Sequence, residues 1–139
     1  MRFMVIRKAD EETEAGVLPS TELLDAMGRY NEELVKAGVM LSGSGLMASD
    51  RGARLHFDGA GSTTVTDGPF AEAKELVAGY SIVRADSLAE VIEWVLKWPV
   101  EDGHGNAEIE IRQVVEAEDF GDSVTDENRA FTVDLLADK

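Results

Sequence analysis

Four side chains that could do chemistry lie close together in the stretch TVTDGPFAEAKELVAGYSIV, Thr64 to Val83: Asp67, Lys74, Glu75 and Tyr80. A lysine set among carboxylates can hold an anionic ligand. A carboxylate placed in an apolar pocket has its pKa raised and becomes a proton-transfer group. Asp67 and Glu75 are therefore candidate catalytic groups, and Lys74 and Tyr80 candidate ligand-binding groups. Each has a structural alternative: Asp67 as a turn cap, Lys74 in a local ion pair, Tyr80 packed in a sheet. His104, in Gly103-His104-Gly105, is a third candidate base or a solvated loop histidine. Arg7 and Arg112 stand on the first and last apolar runs, where both could reach a shared cleft or neutralise neighbouring acids.

Other chemistries find less support. The chain has no cysteine, which removes disulfides, thiolate metal sites and cysteine nucleophiles. Its two histidines, His56 and His104, are far apart, and no second ligand stands at zinc-site spacing, so neither metal nor cofactor is expected. Gly43-Ser44-Gly45 lacks the Gly-Lys-Ser/Thr ending of a phosphate loop. Ser42, Ser44 and Ser49 have no His-Asp partners in hydrolase order.

The elements that must position these residues follow from periodicity. Residues 2–7 predict a strand apolar on both faces. Asp10 to Gly16 reads as an acidic loop. Ser20 caps a helix whose apolar stripe is Leu23, Met27, Tyr30 and Leu34, and Gly38 stops it. Val39 to Leu41 is a short strand. Residues 53–58 and 62–66 predict a hairpin around Gly59-Ala60-Gly61. Leu76 to Arg84 is a strand, with Gly79 a bulge or a close backbone approach. Ser87 and Glu90 form a capping box, opening a helix with Leu88, Val91, Ile92, Trp94, Val95 and Trp98 on one side. Trp94 and Trp98 could stack on a flat ligand, although their helical spacing fits a core. Pro99 ends that helix. Residues 107–115 form a last strand, with Ile109 and Ile111 inward and Glu108, Glu110 and Arg112 outward. At the corner, Pro69 suits the first position of a helix, Asp67 is placed to accept amides of the following turn, and Phe70 would anchor in the core.

The order β-α-β, hairpin, β-α-β suits an α+β, ferredoxin-like split βαβ sandwich, with an antiparallel sheet, both helices on one face and a hairpin insertion. Residues 1–121 form the domain. Residues 122–139 are a tail, with a short docking helix expected from Thr125 to Leu136 that sets Phe131 and Leu135 on one side.

The segment TDGPFAEAKELVAGYSIVRADSLAEVIEWVLKWP, with ELVKAGVMLSGSGL and IEIRQVVEAEDFG around it, resembles the DGPF group of YCII-related proteins over residues 2–121. The resemblance implies a dimeric α/β barrel, two sheets packed face to face around a cleft in each subunit. It also implies an association with sigma factors of the extracytoplasmic type. Where such proteins commonly carry Glu-Thr-Lys-Glu, this chain has Glu72-Ala73-Lys74-Glu75. It has no histidine on the first long helix, so the His-Asp pair of smaller YCII proteins does not transfer.

Twenty-eight acidic against thirteen basic residues give a net charge of −15, a surface that repels nucleic acid and anionic lipid. No apolar run approaches the roughly 20 residues of a membrane span, and residues 1–8 do not resemble a secretory signal, so a cytoplasmic protein is expected. The resulting expectation is a homodimeric small-molecule-binding module with a regulatory role. The alternatives are a cofactor-free enzyme performing proton transfer, isomerisation or oxygenation, and a protein-interaction domain.

Overall fold

A computed structural model describes residues 1–132 of the chain. Six strands and four helices alternate as β1 (Arg2–Lys8), α1 (Glu11–Glu14), α2 (Thr21–Lys36), β2 (Met40–Gly45), β3 (Ala53–Phe57), β4 (Thr63–Asp67), β5 (Val77–Arg84), α3 (Leu88–Val95), β6 (Ile109–Gln113) and α4 (Asp126–Thr132). β2, β5, β1 and β6 lie side by side in that order, every neighbouring pair antiparallel. β3 and β4 form a separate two-stranded hairpin. This is the split βαβ topology with a hairpin inserted between its halves. The first and last strands pair directly, Phe3 opposite Gln113 through Arg7 opposite Ile109.

Strand alternation divides β1 between two faces. Phe3, Val5 and Arg7 are buried, whereas Arg2, Met4, Ile6 and Lys8 are only half-buried. The buried set meets the helices. Phe3, Val5, Val83 and Ala85 pack with Tyr30 and Leu34 of α2, with Val39, and with Val91 of α3, and Ile109, Ile111, Trp94, Val95 and Trp98 close around them. Phe3, Val83 and Val91 are each no more than 2% exposed, so each stabilises the fold by about 1.5–3 kcal/mol. The Tyr30 hydroxyl donates to the Trp94 carbonyl at 2.9 Å, and its ring lies 5.5 Å from that of Trp98, tying α2 to the end of α3. Burial, with Glu33 adding to it, pushes that hydroxyl up to about 12, so it remains a donor at any ordinary pH.

Local chemistry sets the ends. The Ser20 and Ser87 hydroxyls accept from the amides of Leu23 and Glu90. The Glu90 carboxylate reaches back to the Asp86 amide rather than to that of Ser87. Gly38, after α2, has φ +75°, a conformation in which only glycine is unstrained. Gly79 is a close approach: a Cβ there would lie 3.2 Å from the Ser44 carbonyl oxygen. The register beside it slips, Arg7 facing Gly79 and Lys8 facing Val77, so a bulge accompanies it.

Residues 10–16 are more ordered than an acidic loop. Asp10 and Thr13 cap α1 reciprocally, the Thr13 amide donating to Asp10 and the Asp10 amide to the Thr13 hydroxyl. Pro69 begins no helix. The segment after it makes a single 3-10 turn over Ala73–Glu75, too few residues to hold an α-helix alone. Of the expected tail helix, residues 126–132 are helical. Leu135 and the rest of the tail lie outside the described residues. Among the described residues no helix is long and apolar enough to cross a membrane.

Candidate functional site

The DGPF corner is built from backbone contacts that tolerate no other residue at its second position. The Gly68 amide donates to the Gly52 carbonyl at 3.0 Å. A Cβ on Gly68 would lie 1.7 Å from the Ser49 carbonyl oxygen, so only glycine fits. The next free amide, that of Phe70, donates to the Ser49 hydroxyl at 3.0 Å. Asp67 ends β4 with its side chain exposed, and the capping role expected of it falls to Ser49. The Ser49 hydroxyl in turn donates to Glu14 Oε2, and the Ser49 amide donates to Glu14 Oε1 at 3.0 Å. α1, the 3-10 turn over Ser49–Arg51 and the DGPF corner are thereby joined in one chain of hydrogen bonds.

That chain borders a shallow depression of about 360 Å³. Its walls are mainly apolar: Leu46 and Met47 after β2, Phe70 of the corner, and Leu76 and Val77 at the start of β5. Glu14, Ser49 and Arg51 supply its polar groups. The Leu46 amide donates to the Ala78 carbonyl and the Ala9 amide to the Leu76 carbonyl, which fixes the walls to the end of the sheet. Phe70 is half-buried beside the depression rather than in the main core, and the Arg54 guanidinium lies 4.0 Å above its ring.

The residues singled out from the sequence are dispersed. Asp67, Lys74 and Glu75 are exposed. Tyr80 is half-buried on the sheet face away from the helices, opposite Ile6 and Ser44. None of these four makes a side-chain hydrogen bond or ion pair with another among the described residues. His104 sits in a 3-10 turn over Asp102–Gly105, with positive φ, and its Nε2 lies 2.9 Å from the exposed carboxylate of Glu12. Arg112 shares the open face with Met4, its partner across β1, and lies 3.5 Å from Glu110. Arg7 is on the opposite face. The two arginines therefore do not meet in one cleft.

Arg7 instead anchors the most buried polar cluster. Its Nε and Nη2 each donate to Asp102 at 2.9 Å, Nη2 also donates to Asp10 at 3.1 Å, and Nη1 donates to the Lys8 carbonyl. The Trp98 indole N–H donates to Asp102 at 2.9 Å. Burial alone would raise the Asp102 carboxyl, but the bonds from Arg7 and Trp98 outweigh it and hold the group below its usual range. Asp10 is likewise held low, the Thr13 amide and Arg7 overcoming its partial burial. The Asp102 bonds raise Arg7 above its ordinary value.

Sequence reasoning did not find Asp10, Glu14, Ser49, Arg51, Trp98 or Asp102 in these roles. The Asp10-x-x-Thr13 capping box was a signal for α1. The partners of Glu14 and Ser49 are long-range, as is Arg7, the main partner of Asp102, and they leave no local spacing to read; only Trp98 is near Asp102 in sequence. Among the described residues no three histidine or acidic side chains group closely enough to hold a metal ion.

A four-stranded antiparallel sheet in the order β2-β5-β1-β6, with two helices on one face, defines a ferredoxin-like α+β protein. The chain belongs to the YCII-related domain family, whose profile matches residues 1–118. Among solved structures it is similar to 5-chloro-2-hydroxyhydroquinone dehydrochlorinase (TftG) from Burkholderia phenoliruptrix AC1100, in complex with 2,5-dihydroxybenzoquinone. The two share 15% identity at a TM-score of 0.46, with 85% of this chain and 97% of that chain covered. No curated protein matches the chain.

Proposed function

We propose that the protein is a homodimeric small-molecule-binding module whose ligand site is the depression at the DGPF corner. The observation that carries this reading is the depression itself: an apolar-walled hollow of about 360 Å³ lined by Phe70 of the corner, whose amide is held by the Ser49 hydroxyl. Apolar walls with a few fixed polar groups are what small-ligand sites require. Dimerisation is supported by the sheet face turned away from α2 and α3, where Met4, Ile6, Tyr80 and Ile82 share one side of β1 and β5. A second copy of that face would bury them.

A regulatory rather than catalytic use fits the candidate bases. Catalysis by proton transfer calls for a sheltered base, and Asp67, Glu75 and His104 are all exposed. Association with a sigma factor rests on the family resemblance alone.

The test is a thermal-shift screen of small acids and aromatics against the native protein and a Phe70→Ala variant. Binding by the native protein that weakens in the variant is the expected result. No hit from a broad panel would favour the interaction-domain reading instead.

A further inference from the structure

Resting on the reading of the DGPF corner as a ligand site, we propose that the depression selects small monocarboxylic acids with an aromatic or branched apolar body, the carboxylate being held by Arg51. Two charged residues line the depression, Glu14 and Arg51. Glu14 is committed to the corner, since each of its carboxylate oxygens already accepts a donor from Ser49. Arg51 pairs with no carboxylate among the described residues, although acids outnumber bases by 28 to 13 in this chain. Arg51 lines the hollow with guanidinium donors to spare, and a planar guanidinium fork matches a carboxylate.

The surroundings agree with an acid rather than a base. Arg54, on the ring of Phe70, adds a second positive charge at the aromatic wall. Leu46, Met47, Phe70 and Leu76 provide the apolar surface for the body of the ligand. The volume is at the small end of the roughly 300–1,000 Å³ spanned by ligand sites, which suits a single ring or a short branched chain. Glu14 beside the site repels a second negative charge, so a monoanion fits better than a dianion.

The experiment titrates the full chain with benzoate, benzamide and benzylamine, reading the methyl resonances of Leu46 and Met47. The net charge of −15 by itself favours the cationic amine. The proposal expects the reverse: benzoate binding about tenfold tighter than benzamide, with benzylamine weakest. Arg51→Ala should erase the advantage of benzoate and leave benzamide unchanged, Arg51→Lys should keep part of it, and Arg29→Ala, on exposed α2 surface, should alter neither. If benzamide binds at these methyls as tightly as benzoate, or if Arg51→Ala keeps the preference, the acid specificity is wrong while the depression stands as a site. If none of the three probes moves these resonances, both the specificity and the site fall.

Discussion

Arg7 and Asp102 form a two-pronged ion pair, Nε to Oδ2 and Nη2 to Oδ1 at 2.9 Å each, across the helix-covered face of the sheet. Their side chains are only 10% and 11% exposed. Removing one partner strands the other charge in a place water barely reaches. Arg7→Met or Asp102→Leu alone should cost about 3–5 kcal/mol in urea unfolding. The double variant should cost clearly less than the sum, because it removes both charges of the buried pair together and leaves only the more exposed Asp10 without Arg7. Additive losses would show that the pair is not coupled.

The same pair sets an acid limit. Asp102 and Asp10 are held below their ordinary values in the folded protein, so the unfolded chain takes up protons first as the pH falls. Their contribution is complete above the unfolded carboxylate value of about 3.9 and disappears as the pH drops through their lower folded values. Protonating other acids relieves the repulsion of a −15 surface and works in the opposite direction. The comparison that isolates the effect is the native protein against Asp102→Asn, by urea unfolding at pH 6 and in steps below about 4. The stability gap between them should narrow toward the acid end. A gap constant over that range would contradict the depressed Asp102.

The fold was legible in the sequence where information is local. Alternation in residues 2–7, the stripe of Leu23, Met27, Tyr30 and Leu34, and the cap at Ser87 each report one element, and all of these elements are present. The candidate site was legible only at the DGPF corner, whose residues are contiguous. Asp102 escaped because its main partner, Arg7, is 95 residues away. Ser49 escaped because its value lies in three partners, the backbone amide of Phe70, the carboxylate of Glu14 and the close approach of Gly68, none of which leaves a pattern near Ser49 itself. Asp67 drew attention by type and position, but tertiary contact gave the capping task to another residue.

The corner offers a sharp contrast between two glycines. Gly68→Ala drives a Cβ against the Ser49 carbonyl and should destabilise by about 1–3 kcal/mol or more. A Cβ on Gly45, in β2, meets nothing within 4 Å, so Gly45→Ala should stay within about 0.5 kcal/mol of the native protein. Thermal midpoints of the two variants check this directly, and equal values would mean the corner can shift freely.

Ser49→Ala removes the acceptor of the Phe70 amide and a donor to Glu14. Leaving such groups unsatisfied costs about 1–3 kcal/mol where water cannot replace the bond. The specific signature is hydrogen exchange. Protection of the Phe70 amide should fall well beyond the global loss, whereas the Leu46 amide, bonded to the Ala78 carbonyl, should follow the global change alone.

The open sheet face makes the strongest demand on the proposed dimer. Met4 and Ile82 face each other across β1 and β5, as do Ile6 and Tyr80, and all four are half-buried on the side away from α2 and α3. If a second copy packs there, the native particle should have twice the 15.1 kDa of the chain. Ile82→Glu would then place a carboxylate in an apolar seam without a partner, weakening association by about a hundredfold or more. Because Ile82 points away from the core of Phe3, Val83 and Val91, the variant should keep its helix and strand content while sedimenting as a monomer. Sedimentation of the native protein as a monomer at micromolar concentration would remove the dimer from the proposal. It would leave the depression to act within a single chain, since all its walls come from one copy.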